Sequence, residues 1–486
     1  MSQAVQEQEP QLLWKHFADL NAVPRPSKKE EQVRQFIIEF AKLHNLLFLE
    51  DAIGNVVIKK HATNGMEDRK PIIMQSHLDM VHQKNNDTDF NFLTQGIEMY
   101  VEDGNVKARG TTLGADNGIG VAAIMAVLSS SDIAHPAIEA LFTIDEETGM
   151  TGAKQLDQNI LTSKILLNLD TEEDDEIDIG CAGGVDITAS KQYFTHEIEE
   201  NDFHCKKITI KGLKGGHSGM DIIKGLGNAN KLINRLIDAM QKKGDVHLNH
   251  FDGGSLRNAI PREATVTVCF RTSALNDIWS AYQKCRDSIL DEYKHLEPGM
   301  IISIDDAEID HVLSASDSRD LVFAILGIYN GVYRMSPEID GLVETSNNLA
   351  RIKLEKGALE IACLTRSSVE SSKEDLASSI VGVMRLADLE TKLSGEYPGW
   401  QPNRDSAILK IVEQSYEDLF NHKPRVVACH AGLECGLLGE RYPELDMVSF
   451  GPNIRGAHSP DERVEIESVQ KFWKWLLDVL KNIPKN

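Results

Sequence analysis

The stretch PIIMQSHLDM, residues 71–80, decides how this chain is read. Pro71 to Gln75 is a continuous apolar run, the pattern of a strand buried on both faces in a parallel sheet. It runs directly into His77 and Asp79. In open α/β sheets, ligands gather at the carboxyl ends of the strands. At i and i+2 of extended chain the two side chains leave on one face. One can then bind a metal while the other orients it. Alone, such a pair reads more often as a surface loop than as a site.

The same arrangement recurs. The predicted strand Ala137–Ile144 ends in DEETG, with Asp145, Glu146 and Glu147, and the strand Lys164–Leu169 ends in Asp170. Asp116 sits in GADNG, before an apolar helix at Gly118–Ser129. His458 lies in GPNIRGAHSPDE, after a short strand at Asp446–Phe450. Each has a plainer reading taken singly. DEE suits a helix start, GADNG is common turn chemistry, Asp170 adjoins the acidic run Glu172–Asp175, and His458 could be a polar loop residue. Three separate strands delivering such groups at the same end of a sheet favour a cation site. Adjacent Glu146 and Glu147 point in different directions, so one can bind a metal and the other move a proton.

Around these strands, residues 11–45 read as helical with a break at Pro24–Pro26. After Cys181-Ala-Gly-Gly the texture changes to alternating strands, as at Lys206–Lys211 and Ala264–Arg271. Amphipathic helices follow at Asn228–Lys242 and Ala274–Tyr293. This is an α+β pattern with an antiparallel sheet. VTVCFRTS (266–273) and LEIACLTRSS (359–368) each precede a helix and suggest a duplicated half-domain. The α/β texture returns near Tyr397, after SGEYPGW. The expected fold is α/β: a discontinuous, mostly parallel-sheet catalytic domain, 1–185 plus 392–486, with an inserted α+β domain at 186–391.

At 486 residues the chain is too long for one ordinary core. Acidic residues outnumber basic ones 75 to 51, for a net charge of −24, which makes nucleic acid and anionic membranes poor partners. The polar start, MSQAVQEQEP, is not a signal peptide, and no stretch reaches the ~20 apolar residues of a membrane helix. Seven scattered cysteines without a CxxC pair argue against a disulfide framework. Most read as small core residues in a reducing compartment, and the expected location is cytoplasmic.

Together, SHLDM, GADNG, DEETG, NLD, GGHSG and GAHSP, in this order, resemble the M20 family of co-catalytic zinc peptidases over nearly the whole chain. CAGG, KGLKGGHSG, RNAIPR, HAGLECG and the large insertion resemble its aminoacyl-histidine dipeptidases, which hydrolyse carnosine and other Xaa-His dipeptides. The resemblance implies two Zn2+ per chain, with Mn2+ or Co2+ as substitutes for this all-N/O donor set. It implies His77 and Asp170 on one ion, Glu147 and His458 on the other, and Asp116 bridging both. Asp79 would orient His77, and Glu146 would act as general base and acid on a metal-bridged water. In the insertion, a lid that also pairs some family members as homodimers, His217 would contact the carbonyl oxygen. Asn258, Arg366 and Gly432 would help hold a short peptide substrate, although Arg271 occupies the position in the echoed segment that corresponds to Arg366. An N-acyl amino acid deacylase of the same fold, or a non-catalytic metal-binding scaffold, are the competing readings.

Overall fold

Four short apolar strands form the parallel centre of the first sheet: Ile138–Thr143, Ile72–His77, Ile165–Asn168 and Asp446–Ser449, in that spatial order. All six residues of Ile72–His77 are buried, as are all six of Ile138–Thr143, which is why neither run alternates. The flanks are antiparallel. Val56–Lys60 pairs with Ile138–Thr143 on one side, and Glu176–Cys181 meets Asp446–Ser449 on the other. The sheet is therefore parallel at its centre and mixed overall.

The computed structural model describes residues 3–198, 202–309 and 311–486. It divides into two compact units. The first comprises Met1–Gly180, Pro402–Ala428 and Leu433–Asn486; the second comprises Cys181–Gln401 and Cys429–Gly432.

In the first unit, helix Ala115–Ser129 is buried along nearly its whole length and packs on Gln11–Asn21 and on strand Ile72–His77. Its continuous apolar sequence follows, because a helix covered on all sides has no polar face to keep. The final helix, Ile466–Asn482, is amphipathic. It buries Phe472, Trp475 and Leu476, and the Trp475 indole donates to the Val412 carbonyl at 3.0 Å. Among the described residues, no helix is long and apolar enough to cross a membrane.

The second unit is built on a nine-stranded antiparallel sheet. Its order is Ile301–Asp306, Phe203–Lys211, Ala264–Arg271, Val246–Gly254, Val343–Glu355, Ala358–Ser367, Gly183–Gln192 and Glu390–Tyr397, with Gly331–Met335 also on Val343–Glu355. Helices Ala229–Gln241, Ala315–Gly327 and Glu370–Leu386 share its core with inward residues such as Val266, Val268, Leu349 and Ile361. The two echoed segments are both strands of this sheet, each followed by a helix, Leu275–Tyr293 and Glu370–Leu386.

The cysteines depart from the expectation of no disulfide. Cys205 and Cys269 are directly opposed on neighbouring antiparallel strands, with Cα atoms 4.1 Å apart, and are bonded to each other. They are 64 residues apart in sequence, so only strand register brings them together. Of the other five, Cys181, Cys363 and Cys435 are buried as small core residues.

Candidate metal centre and substrate-contact residues

Sheet register assembles the candidate cation site. His77 closes its strand opposite Thr143, two residues before Asp145, and Gln75 lies opposite Asn168, two residues before Asp170. Parallel neighbours in this register deliver His77, Glu146, Glu147 and Asp170 to one edge. Asp145 takes a left-handed backbone (φ 53°) and starts the short helix Glu146–Gly149. The Thr148 and Thr151 hydroxyls donate to the Asp145 carboxylate and hold that turn.

Asp116 follows Gly114, which is left-handed at φ 70°, and keeps extended backbone just before its helix proper. His458 is also left-handed, at φ 64°. That conformation is unfavourable for a non-glycine residue and gathers at functional sites.

The seven residues singled out in this unit come together. Asp116 faces two ways, with Oδ1 3.1 Å from His77 Nε2 and Oδ2 3.2 Å from His458 Nε2. His77 Nε2 is 3.5 Å from Asp170 Oδ1, and His458 Nε2 is 3.0 Å from Glu147 Oε2. Donors around a tetrahedral ion at about 2.0–2.1 Å stand roughly 3.4 Å apart, so these separations are those of ligand pairs. His77, Asp116 and Asp170 form one donor group, and Asp116, Glu147 and His458 form another that shares Asp116. Among the described residues, Glu147 Oε1 is buried with no hydrogen-bond donor, and Asp170 Oδ1 has only the His77 imidazole, 3.5 Å away. Buried anionic oxygens without partners are costly unless a cation compensates them. The residues present therefore fit two ions.

Asp79 is fully buried, 3.4 Å from His77 Nδ1. It accepts the Glu146 and Glu147 backbone N–H groups at 3.0 and 3.3 Å, so it ties His77 to the two glutamates. Burial, reinforced by the Asp170, Glu147 and Glu434 carboxylates and opposed by His77, holds the Glu146 carboxyl well above its ordinary range. Hydrogen bonds donated to the Asp116 and Glu147 carboxylates raise the His458 imidazole to about 11.

Sequence reasoning missed the supports of this site. The Glu462 carboxylate accepts four consecutive backbone N–H groups, from Leu113 at 2.7 Å, Gly114 at 3.0 Å, Ala115 at 2.7 Å and Asp116 at 3.3 Å. Buried Arg25 joins Asn21 to the carbonyls of Leu78, Asp79 and Gly114. Glu434, in HAGLECG, accepts from Gln75 at 2.7 Å and Thr143 at 2.6 Å, and burial pushes it up to about 7. Glu172, from the acidic run beside Asp170, is pushed up to about 8 by burial and by Asp116. The only signal for Glu462 was its place in GAHSPDE, where one acid is indistinguishable from a surface charge.

Glu462→Gln keeps the shape of the side chain but sets an amide donor against backbone donors. We expect it to weaken cation affinity about 10–100-fold, the usual effect of removing a group that orients a ligand. Calorimetric titration of metal-stripped protein with Zn2+ checks this, and unchanged affinity would dismiss Glu462 as a support.

In the second unit, Gly216–His217 pairs with Ala259–Ile260, and the Ser218 N–H donates to the Asn258 carbonyl at 2.7 Å. His217 and Asn258 thus share the lining of a cavity of about 750 Å³ with Lys214 and Arg262. His217 Nδ1 accepts the N–H groups of Gly219 and Met220, both at 3.2 Å. The neutral ring therefore carries its proton on Nε2. Gly432 lies in a loop fastened by the Ala182 N–H, which donates to the carbonyls of Cys429 and Ala431 at 3.1 and 3.0 Å. The two arginines separate clearly. Arg271 is exposed and ion-paired with Asp202, whereas Arg366 is 5% exposed with no carboxylate partner among the described residues.

The family model described as peptidase family M20/M25/M40 matches residues 73–482. The chain is 44% identical over 476 residues to the cytosol non-specific dipeptidase of Escherichia coli (strain K12), covering 98% of each. The crystal structure of aminoacylhistidine dipeptidase from Vibrio alginolyticus superposes with a TM-score of 0.93 at 43% identity, covering 99% of this chain and 98% of that one. Aminopeptidase PepT from Bacillus cereus shares the fold, with a TM-score of 0.57 at 15% identity over 98% of this chain and 99% of its own. With the match spanning the sheet, the insertion and the final helix, the chain belongs to peptidase family M20/M25/M40.

Proposed function

We propose that this protein is a metal-dependent dipeptidase acting on Xaa-His dipeptides, β-alanyl-histidine included, with two Zn2+ per chain replaceable by Mn2+ or Co2+. The observation that carries the reading is Asp116, whose two carboxylate oxygens each face a different histidine-containing donor group, while Glu146 lies beside His77 and Glu147 without an ion pair to either histidine. The names of the Escherichia coli and Vibrio alginolyticus relatives support the dipeptide substrate, and the former supports a cytoplasmic location.

His77 and Asp170 would hold one ion, Glu147 and His458 the other, and Asp116 both. When bound, the ions supply Lewis acidity, polarising a carbonyl and lowering the pKa of water from about 15.7 toward neutrality. The protein's own groups do the remaining work. Glu146 takes the proton from the attacking water on its carboxylate and returns it to the leaving amine. His217 donates its Nε2 proton to the developing oxyanion, an interaction typically worth about 3 kcal/mol per donor. Asn258 and Gly432 position the peptide, and Arg366 binds its C-terminal carboxylate, which restricts the substrate to short peptides.

Amine release from β-alanyl-histidine and several Xaa-His dipeptides tests the reading, with N-acetyl amino acids as the comparison. Metal-dependent turnover of the dipeptides, at least tenfold above the N-acetyl compounds, is expected. Preference for the N-acyl series would make the protein a deacylase. Inactivity on both, with two ions bound, would leave a binding scaffold.

A further inference from the structure

Arg366 presents an unusual state: a buried guanidinium that makes no ion pair among the described residues, the Asp186 carboxylate acting on it only at longer range. Its Nη1 donates to the Tyr397 hydroxyl at 2.7 Å, while its Nε is buried with no hydrogen-bond partner. An unpaired charge in such a place is strongly unfavourable unless a ligand completes it. Nε and Nη2 form the side edge of the guanidinium, the fork that grips a carboxylate with two parallel bonds. Tyr397 occupies the opposite nitrogen and leaves that edge available.

Tyr397 reaches Arg366 by a specific route. Arg366 lies opposite Gly184, and Gly184 lies opposite Tyr397, so the three residues form one row across three strands. Arg366 and Tyr397 are two strand spacings apart, roughly 10 Å. The glycine between them has no side chain to block the way. A Cβ at Gly184 would stand 2.7 Å from the Tyr397 ring and hydroxyl, closer than any real contact. Register supplies the second part. Ser394 pairs with Asp186 and Tyr397 with Gly184, so strand Glu390–Tyr397 carries one extra residue there. Gly395, left-handed at φ 60°, lies within this bulge. Bulges re-aim side chains; without it, Glu396 would face Gly184. On the far side of Arg366, Ser346 continues the row and bonds His430 at 2.7 Å. Burial and the neighbouring Arg366 hold that imidazole down at about 3, so it adds no second charge.

We infer that Tyr397, aimed by the Gly395 bulge across the Gly184 gap, is a positioning residue that locks Arg366 with its Nε–Nη2 edge open for a peptide's C-terminal carboxylate. CAGG and SGEYPGW, which no catalytic role had absorbed, thereby acquire a purpose: one supplies the gap and the other the bulge and the phenol.

The inference rests on the dipeptidase reading. Its test compares Tyr397→Phe and Arg366→Ala on β-alanyl-histidine, with β-alanyl-histidinamide, which lacks the carboxylate, as substrate or competing inhibitor. Tyr397→Phe keeps the ring and loses only the hydroxyl. It should raise KM for the acid about tenfold, the loss of one charge-assisted hydrogen bond, with kcat within twofold and the amide's KM or Ki within twofold. Arg366→Ala should raise KM for the acid further, again sparing the amide. Gly184→Ala should reproduce the Tyr397→Phe pattern in protein whose melting temperature shows it folded. If Arg366→Ala raises KM and Tyr397→Phe does not, the positioning role is overturned and the clamp stands. If acid and amide suffer equally in Tyr397→Phe, the hydroxyl is merely structural and the inference fails. If Arg366→Ala leaves KM for the acid within twofold, the clamp itself fails, and a wild type silent on all dipeptides removes the dipeptidase reading and this inference with it.

Discussion

Glu146→Ala is expected to lower kcat on β-alanyl-histidine by about 10²–10⁴-fold, the contribution of a positioned proton carrier, while two metal ions stay bound. Glu146 makes no ion pair with either histidine of the donor groups, in contrast to its neighbour Glu147, which lies 3.0 Å from His458. Its backbone N–H is fixed by Asp79, so removal of the side chain should leave the turn in place. The carboxyl is held well above its ordinary range by burial and by three surrounding carboxylates. Metal analysis and kcat measured on the same preparation decide the point. Full metal content with less than a tenfold loss would assign the proton transfer elsewhere. Loss of metal together with activity would make Glu146 a ligand instead.

Asp116→Asn is expected to reduce the metal content from two ions to one or none and to lower kcat about 10³-fold, the several kcal/mol assigned to metal assistance. Both carboxylate oxygens are engaged in different directions. An amide keeps one acceptor oxygen and replaces the other with an NH2 group that cannot bind a cation. The thermal response gives an independent reading. Saturating Zn2+ at 100 times its dissociation constant adds about 2.7 kcal/mol of stability to a protein with one such site, so the rise in Tm on adding metal should shrink in the variant. Two tightly bound ions and an unchanged Tm response in Asp116→Asn would rule out the bridging role.

The parts of this protein visible in its sequence are those governed by short-range pattern. The unbroken apolar run Ile72–Met74, the apolar helix after GADNG and the strand before Asp170 each declare their burial by composition. His77, Glu147 and Asp170 follow directly from them, because residues at the end of a buried parallel strand have little choice of position. What sequence alone could not supply was register and approach between distant segments. The Cys205–Cys269 bond depends on two strands being neighbours. The grip of Glu462 on the backbone of residues 113–116 spans more than 340 positions. Arg366 and Arg271 occupy matching places in their echoed segments, yet one is buried without a carboxylate and the other is ion-paired at the surface. The sequence by itself determined the family, the α/β plan and the choice of candidate metal-binding side chains, since these rest on residue type and local periodicity. Only the tertiary structure decided which arginine is kept unpaired, which acids hold the ligands in place and how Tyr397 reaches across Gly184, because burial and strand register are properties of the assembled chain.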